Sequence, residues 1–174
     1  MNQLLINGCY DEKTLRSFID LGVSRLAFDL RAKSPNLVPF NQLKIFSEIL
    51  AGKEIVLIFE NDRTSTILSF LDMLKSSPVS CVLEFRDYRE ADYYKSLQQP
   101  FFWMFEPGSD WLNILQVPHI KGVLLPISMK DKFKSYHNYG PSLKSVSLMF
   151  IFMQKVLLKL RFMSVKKIFI LALM

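Results

Sequence analysis

Six short apolar runs, separated by stretches with helical spacing, are the feature that most restricts how this 174-residue chain can fold. Their starts lie about 20 to 30 residues apart, the length of one strand, one helix and two loops. The runs occupy 4–8, 25–31, 54–60, 80–86, 101–106 and 122–128. Strands that are almost continuously apolar are buried on both faces, as in parallel sheets. A βα repeat fits either a barrel or an open doubly wound sheet, and regular spacing without a change of direction favours a TIM-barrel-like α/β fold.

The segments between these runs carry ordinary helix start and stop signals. Asp11 can cap a first helix, whose apolar residues keep a spacing of three to four until Gly22 ends it. Further helices are predicted up to Gly52, from about Thr64, and within READYYKSL and SDWLNILQ. Each of the five helices then lies between two predicted strands.

The charge distribution changes sharply at Asp131. All 16 acidic residues lie at or before it, so residues 1–131 carry a net charge of −2 and residues 132–174 carry +8. We predict barrel units one to six in 1–131. In 132–174 we predict a helix within 145–163 and a last strand in KKIFILALM, either in the same domain or as an altered tail. About seven strands would make an incomplete (β/α)8 barrel.

Composition argues against several kinds of site and partner. Two cysteines, Cys9 and Cys81, cannot form a disulfide framework, and they have no metal-ligand spacing with His119 or His137. We therefore expect a cytoplasmic protein with no metal and no cofactor. The pI near 9.3 comes from the last 43 residues, so no nucleic-acid partner is predicted. The sequence shows neither an export signal nor an uninterrupted apolar run long enough for a membrane-spanning helix.

Two stretches carry a resemblance to a known family. LLINGCYDEKTL (4–15) resembles the family's strand end K-I-C-G followed by a helix, and DLGVSRLAFDLRAKSPNLV (20–38) resembles G-A-D-x-x-G-F-x-F-x-x-K-S-P-R. Weaker similarities follow at VLEFRD (82–87), KGVLLPIS (121–128) and FILAL (169–173). On these residues the chain resembles phosphoribosylanthranilate isomerase, a (β/α)8-barrel enzyme of tryptophan biosynthesis.

The resemblance implies an Amadori rearrangement of a phosphorylated sugar that carries an aminobenzoate. In that family a cysteine ending the first strand is the general base, and an aspartate ending the sixth is the general acid. An arginine after Lys-Ser-Pro holds the substrate carboxylate, and glycine-rich loops after strands seven and eight bind the phosphate. The two proton-transfer groups are needed because one proton leaves carbon while another is added to the departing ring oxygen.

This chain differs from the family at each of those positions. Asn7 stands at the base position, Pro126 at the acid position and Asn36 at the arginine position, and the phosphate-binding glycines are not found. An amide has no useful basicity and proline has no proton to donate. We therefore expect a degenerate or truncated family member, whose C-terminus was altered by truncation or frameshift. The alternative is a catalytically inactive barrel or binding protein, whose basic tail contacts an anionic surface or a membrane.

Two residues are candidates for replacing the lost proton-transfer groups. Cys9 lies two residues after Asn7, near a predicted helix start that would favour a thiolate, and it could serve as the base. Asp131 is the last acidic residue and could reach the barrel mouth as the acid. The alternatives are a core cysteine and a solvated loop aspartate.

Charged residues at the ends of predicted strands are candidates for binding substrate. Asp29 and Arg31 alternate along the second strand, and Glu84 and Arg86 alternate along the fourth, so each pair should share one face. Such pairs form either a binding site or ion pairs that fill the barrel. Arg31, Lys33, Asn36 and Arg86 are the predicted substrate-binding residues, with a phosphorylated sugar as the ligand.

The predicted strand number also bears on association. A barrel of about seven strands leaves its first and last strands with unpaired N–H and C=O groups, which template pairing between chains. The sequence therefore predicts a homo-oligomer.

Overall fold

The structure, a computed structural model, describes residues 3–126, 147–152 and 169–173. The strands are β1 (Gln3–Asn7), β2 (Arg25–Asp29), β3 (Glu54–Phe59), β4 (Ser80–Phe85), β5 (Phe101–Met104), β6 (Ile120–Pro126), β7 (Ser147–Phe152) and β8 (Phe169–Leu173). The helices are α1 (Glu12–Asp20), α2 (Phe40–Ile49), α3 (Thr64–Leu74), α4 (Ala91–Leu97) and α5 (Trp111–Leu115). All neighbouring strands are parallel and form a closed barrel in chain order.

The first helix begins after a capping residue and ends before a glycine turn. Asp11 has extended backbone and accepts a hydrogen bond from the backbone N–H of Thr14 at 2.8 Å, which satisfies a donor that the helix cannot pair itself. After α1 the chain turns at Gly22, whose φ is +74°. That left-handed conformation strains residues with a Cβ, so a glycine here ends the helix without strain. The predicted start and end of α1 are confirmed.

Alternation along the strands divides the core into an outer and an inner layer. The outer layer packs strand residues such as Phe28 and Leu57 against helix residues such as Phe46 and Ile67. Among the residues whose side chains the structure describes, the inner layer has seven buried apolar side chains inside the barrel. They are Leu5, Ala27, Val56, Ile58, Val82, Phe102 and Leu124. Because one residue in two faces each layer, the strands need apolar residues on both sides, which explains the continuous apolar runs.

Ion pairs lie at the N-terminal end of the barrel. Glu54, the first residue of β3, pairs with Arg25 on β2 and accepts a hydrogen bond at 2.7 Å from the ammonium of Lys121 on β6. His119 directly precedes β6 at this same end. The charges here belong to the end of the barrel opposite to the one where parallel barrels place their active sites.

The TIM-barrel-like fold class predicted from the sequence is confirmed, but two details differ. The described residues form eight strands in the barrel, one more than predicted, and the additional strand is β7. The helix predicted within 145–163 is therefore wrong for Ser147–Phe152, and FILAL forms the eighth strand rather than the seventh. A short apolar run has no periodicity that separates a buried strand from a buried helix, which is the physical reason for the error.

The barrel is closed by pairing between the last strand and the first. β8 pairs with β1 from Phe169 opposite Gln3 to Leu173 opposite Asn7, and its other edge pairs with β7. The expectation of two open strand edges is therefore wrong. Helices follow only the first five strands within the described ranges, so this part of the molecule is short of a full (β/α)8 set. None of these helices is long and apolar enough to cross a membrane.

Candidate active site

The C-terminal ends of the strands gather polar side chains into one place, which we name the barrel mouth. Asn7 and Asp29 are the last residues of β1 and β2, and Glu84 is the penultimate residue of β4. Arg31 lies two residues after the end of β2, Arg86 directly follows β4, and both bond back to those carboxylates. In parallel barrels this is the end where loops and strand termini build the active site.

Asp29 is the best-bonded carboxylate of the mouth. It accepts hydrogen bonds from Arg31 Nε at 2.9 Å, Arg31 Nη2 at 2.7 Å and Ser34 Oγ at 2.8 Å. Burial alone would raise the pKa of Asp29, but the bonds from Arg31 and Ser34 outweigh it and hold that pKa below its ordinary value. Arg31 also reaches Glu60 Oε2 at 3.4 Å. Asp29 is therefore a permanent anion that fixes the guanidinium of Arg31.

The Lys33-Ser34-Pro35 segment shapes the loop after β2. The hydroxyl of Ser34 donates to Asp29 and accepts a hydrogen bond from the backbone N–H of Asn36 at 3.2 Å. Lys33 is exposed and Asn36 is half-buried on the same loop. Of the predicted substrate-binding residues, Arg31 and Arg86 lie at the mouth with carboxylate partners. Lys33 and Asn36 lie on the adjoining loop.

Glu84 is the most deeply buried charged residue of the mouth, with 0% of its surface exposed. Its neighbours across the sheet, Ile58 and Phe102, both belong to the inner layer of the core, so the Glu84 side chain also lies inside the barrel. Burial raises the pKa of Glu84 above its ordinary value, although Arg86 opposes this by donating from Nε to Oε1 at 2.8 Å. Two of the pair's buried atoms, Glu84 Oε2 and Arg86 Nη2, have no hydrogen-bond partner among the described residues.

Asn7 ends β1 inside the barrel. Leu5, two residues earlier on the same strand, belongs to the inner layer, and Asn7 itself is 4% exposed. Its side-chain oxygen has no hydrogen-bond partner within the described part of the chain. Pro126 is the last residue of β6 and therefore lies at the same end of the barrel as Asn7. Asp131 lies outside the described residues, as does His137.

Cys9 belongs to a different part of the structure. Its side chain packs in the outer layer of the core with only 1% exposed, and its sulfur lies 3.7 Å from the backbone oxygen of Asp11. Burial, assisted by the charge of Asp11, raises the pKa of Cys9 to about 11. This environment disfavours the thiolate that a position near a helix start was expected to favour.

A cluster beside the mouth was not identified from the sequence. Arg89 donates from Nε to Asp87 Oδ2 at 2.7 Å and from Nη2 to the backbone oxygen of Asp62 at 2.7 Å. Its guanidinium also lies 4.5 Å from the centre of the Tyr93 ring, a cation–π contact. The cluster joins the loops after β3 and β4. In the sequence only the alternating charges of RDYRE (86–90) could have indicated this cluster, but such a run is equally typical of a solvated loop.

The charged side chains of the described part of the mouth form carboxylate–guanidinium pairs. The described residues contain no group of three or more His, Cys, Asp or Glu side chains positioned to hold a metal ion. Both arginines of the mouth already have carboxylate partners, since Arg31 pairs with Asp29 and Glu60 and Arg86 pairs with Glu84. The described part of the mouth therefore offers directed hydrogen-bond donors and acceptors.

A scan of the chain against protein-family models finds no match, and a search among curated proteins finds none either. Solved structures are similar in fold. One comprises monomers generated from the dimeric phosphoribosylanthranilate isomerase of Thermotoga maritima, with a TM-score of 0.65 and 12% identity, covering 86% of this chain and 76% of that chain. Another is TrpF from Jonesia denitrificans, with a TM-score of 0.65 and 13% identity, covering 86% and 74%.

A third similar structure is a phosphoribosylanthranilate isomerase in complex with reduced 1-(o-carboxyphenylamino)-1-deoxyribulose 5-phosphate. Its TM-score is 0.63 at 14% identity, covering 87% of this chain and 75% of that chain. Identities this low establish similarity of fold alone. This chain has the barrel fold of phosphoribosylanthranilate isomerases, as the sequence resemblance implied.

Proposed function

We propose that this chain is a phosphoribosylanthranilate isomerase-like protein of tryptophan biosynthesis. It binds a phosphoribosylated aminobenzoate at the barrel mouth and isomerises it slowly. The observation that carries the proposal is a set of three buried polar atoms at the mouth without hydrogen-bond partners among the described residues, Asn7 Oδ1, Glu84 Oε2 and Arg86 Nη2. A buried polar group left unpaired costs about 1–3 kcal/mol, so such a set indicates a ligand that pairs with it.

The ligand chemistry follows from what those atoms can accept and donate. Asn7 Oδ1 is an acceptor, Arg86 Nη2 is a charged donor, and Glu84 Oε2 accepts when ionised and donates when protonated, so a sugar with several hydroxyl groups satisfies all three in either state. The fold similarity to an isomerase bound to a reduced carboxyphenylamino-deoxyribulose phosphate supports the same class of ligand. We expect the phosphate to lie toward β7 and β8, since all eight charged residues of 132–174 are cations.

The reaction is expected to be slow because two positions lack the family's proton-transfer groups. An amide at Asn7 and a proline at Pro126 neither accept nor donate the required protons. General acid–base groups typically contribute about 10²- to 10⁴-fold each. An inactive barrel that only binds the ligand is the second candidate, and these same two residues favour it.

Isothermal titration calorimetry with the reduced carboxyphenylamino-deoxyribulose phosphate tests the proposal. We expect saturable binding to the full chain and at least tenfold weaker binding by Arg31→Met, since Arg31 lies at the mouth. Arg16→Met changes an exposed arginine on α1 and is the matched control, for which we expect unchanged affinity. Absence of saturable binding by the unaltered chain would contradict the proposal. Turnover of phosphoribosylanthranilate by the same preparation separates slow isomerase from inactive barrel.

A further inference from the structure

We propose that Glu84 is the general acid of the barrel mouth, the group that protonates the departing sugar ring oxygen in place of the family's aspartate. This inference rests on the proposed function and assigns one of its two proton transfers to a residue of this chain. It starts from the position of the Glu84 carboxyl group inside the barrel and from the different surroundings of its two oxygens.

The two carboxyl oxygens of Glu84 have different partners. Oε1 is held by Arg86 Nε at 2.8 Å, which fixes the orientation of the group. Oε2 is buried within the barrel and has no partner among the described residues. A general acid needs this combination, with one oxygen anchored by an orienting residue and the other available to the substrate. Arg86 is then a positioning residue.

The surroundings of Glu84 favour its protonated form. Ile58 and Phe102 flank it on β3 and β5 and provide no charge, so burial penalises the carboxylate and raises the pKa. The negative charge of Asp29, at the end of β2, raises the pKa of Glu84 further. The positive charges of Arg86 and Arg31 lower it. The pKa of Asp29 is lowered while that of Glu84 is raised. Two neighbouring carboxyls with opposite shifts are typical of a site with separate acid and anion roles.

In the proposed step Glu84 donates one proton to the sugar, and the sugar ring opens. The O–H bond at Glu84 Oε2 breaks and its proton passes to the ring oxygen of the sugar. The bond between that oxygen and the anomeric carbon breaks, with its electron pair remaining on oxygen, while the lone pair of the arylamine nitrogen forms the C=N bond. The carboxylate that results lies against the Arg86 guanidinium, which stabilises it. Removal of the carbon-bound proton is left without a dedicated base, which keeps the overall rate low.

Single-turnover kinetics with phosphoribosylanthranilate test this assignment in the full chain, with binding of the reduced analogue measured in parallel. Glu84→Gln keeps the shape of the side chain and its acceptor for Arg86 but cannot donate an acidic proton. We expect its rate to fall at least 10²-fold with analogue affinity changed less than threefold. Glu48→Gln alters an exposed carboxyl on α2 and is the matched control, with rate and affinity unchanged.

The pH dependence of the unaltered chain provides a readout that does not depend on the variant folding. The rate requires protonated Glu84, so it should fall as the pH rises through the raised pKa of this residue, and Glu84→Asp should retain that descending limb. A wild-type rate that is independent of pH through this range, or a Glu84→Gln rate within threefold of wild type, would each overturn the role of Glu84 alone. Analogue binding without turnover would overturn slow isomerisation together with the role of Glu84 and would leave the inactive barrel. Absence of analogue binding would overturn the proposed function and this assignment with it.

Discussion

The two ion pairs of the mouth, Asp29 with Arg31 and Glu84 with Arg86, differ in how deeply they are buried. Arg31 keeps 22% of its side chain exposed and shares Asp29 with Ser34. Arg86 is 12% exposed, and its partner Glu84 is fully buried. Removing one member of a buried ion pair leaves the other without compensation inside the protein, whereas an exposed pair loses little because water replaces the partner. The contribution of each arginine to stability therefore follows the burial of its carboxylate.

We predict that Arg86→Met lowers the free energy of unfolding by about 3 kcal/mol at pH 7, since it leaves Glu84 buried without its cation. Urea denaturation followed by circular dichroism measures this. Arg16→Met, which breaks the exposed pair with Glu12, is the control and should change stability little. Loss of Arg86 raises the pKa of Glu84 further, and protonation removes the uncompensated charge, so the loss of stability caused by Arg86→Met should shrink as the pH falls through the higher pKa of Glu84 in the variant. A loss that stays constant with pH would contradict this explanation.

At the scale of elements, glycines allow the chain to turn from helices into the next strands. Gly22 after α1 and Gly52 after α2 have φ of +74° and +77°. A Cβ added at either position would contact nothing within 4 Å, so any cost of substitution comes from the backbone and not from a clash. These two turns lead into β2, which ends at Asp29, and into β3, which is followed directly by Glu60. Both residues lie at the mouth.

Gly22→Ala should therefore destabilise the protein by about 1 kcal/mol through left-handed strain alone. Thermal unfolding followed by circular dichroism is the measurement. Gly22→Asn is the matched control and should cost less, because asparagine tolerates this conformation better than other residues with a Cβ. Equal losses for the two variants would show that strain at φ does not explain the glycine.

At the scale of the whole molecule, stability depends on closing the ring of strands. β8 is hydrogen-bonded on both edges, to β1 and to β7, so it closes the sheet between the first and the seventh strand. A closed barrel has no strand edge on which another chain can pair. The homo-oligomer expected from the sequence depended on open edges, and the closed ring removes that reason. Size-exclusion chromatography with light scattering on the full chain reports the oligomeric state directly.

A chain lacking residues 167–174 loses β8 and exposes one edge of β1 and one of β7. We predict that this shortened chain forms larger assemblies than the full chain at equal concentration, because both edges carry unpaired backbone groups. Leu171→Pro in the full chain, which removes one N–H from β8, should act in the same direction, and Leu171→Val should not. Identical elution and mass for the shortened and full chains would contradict a role of β8 in closing the barrel.

The sequence by itself determined the repeating part of this protein. Strand and helix positions through β6 follow from local patterns, such as the apolar run at Glu54–Phe59 and the capping residue Asp11. The sequence also indicated that Asp29 and Arg31 interact, but β2 ends at Asp29, so the contact forms in the loop just beyond the strand and not through strand alternation. These features depend on neighbours within a few residues along the chain, and for that reason no tertiary structure was needed to find them.

Only the tertiary structure decided which polar groups are buried and how the ring ends. Ser34, Glu60 and Glu84 come to the mouth from three different loops or strands, and no local pattern shows that Glu84 would be fully buried. Strand β7 could not be told from a helix because an apolar run lacks periodicity, and its identity is set by pairing with β6 and β8. Burial and strand pairing are properties of residues distant in sequence, so they are settled only when the barrel closes.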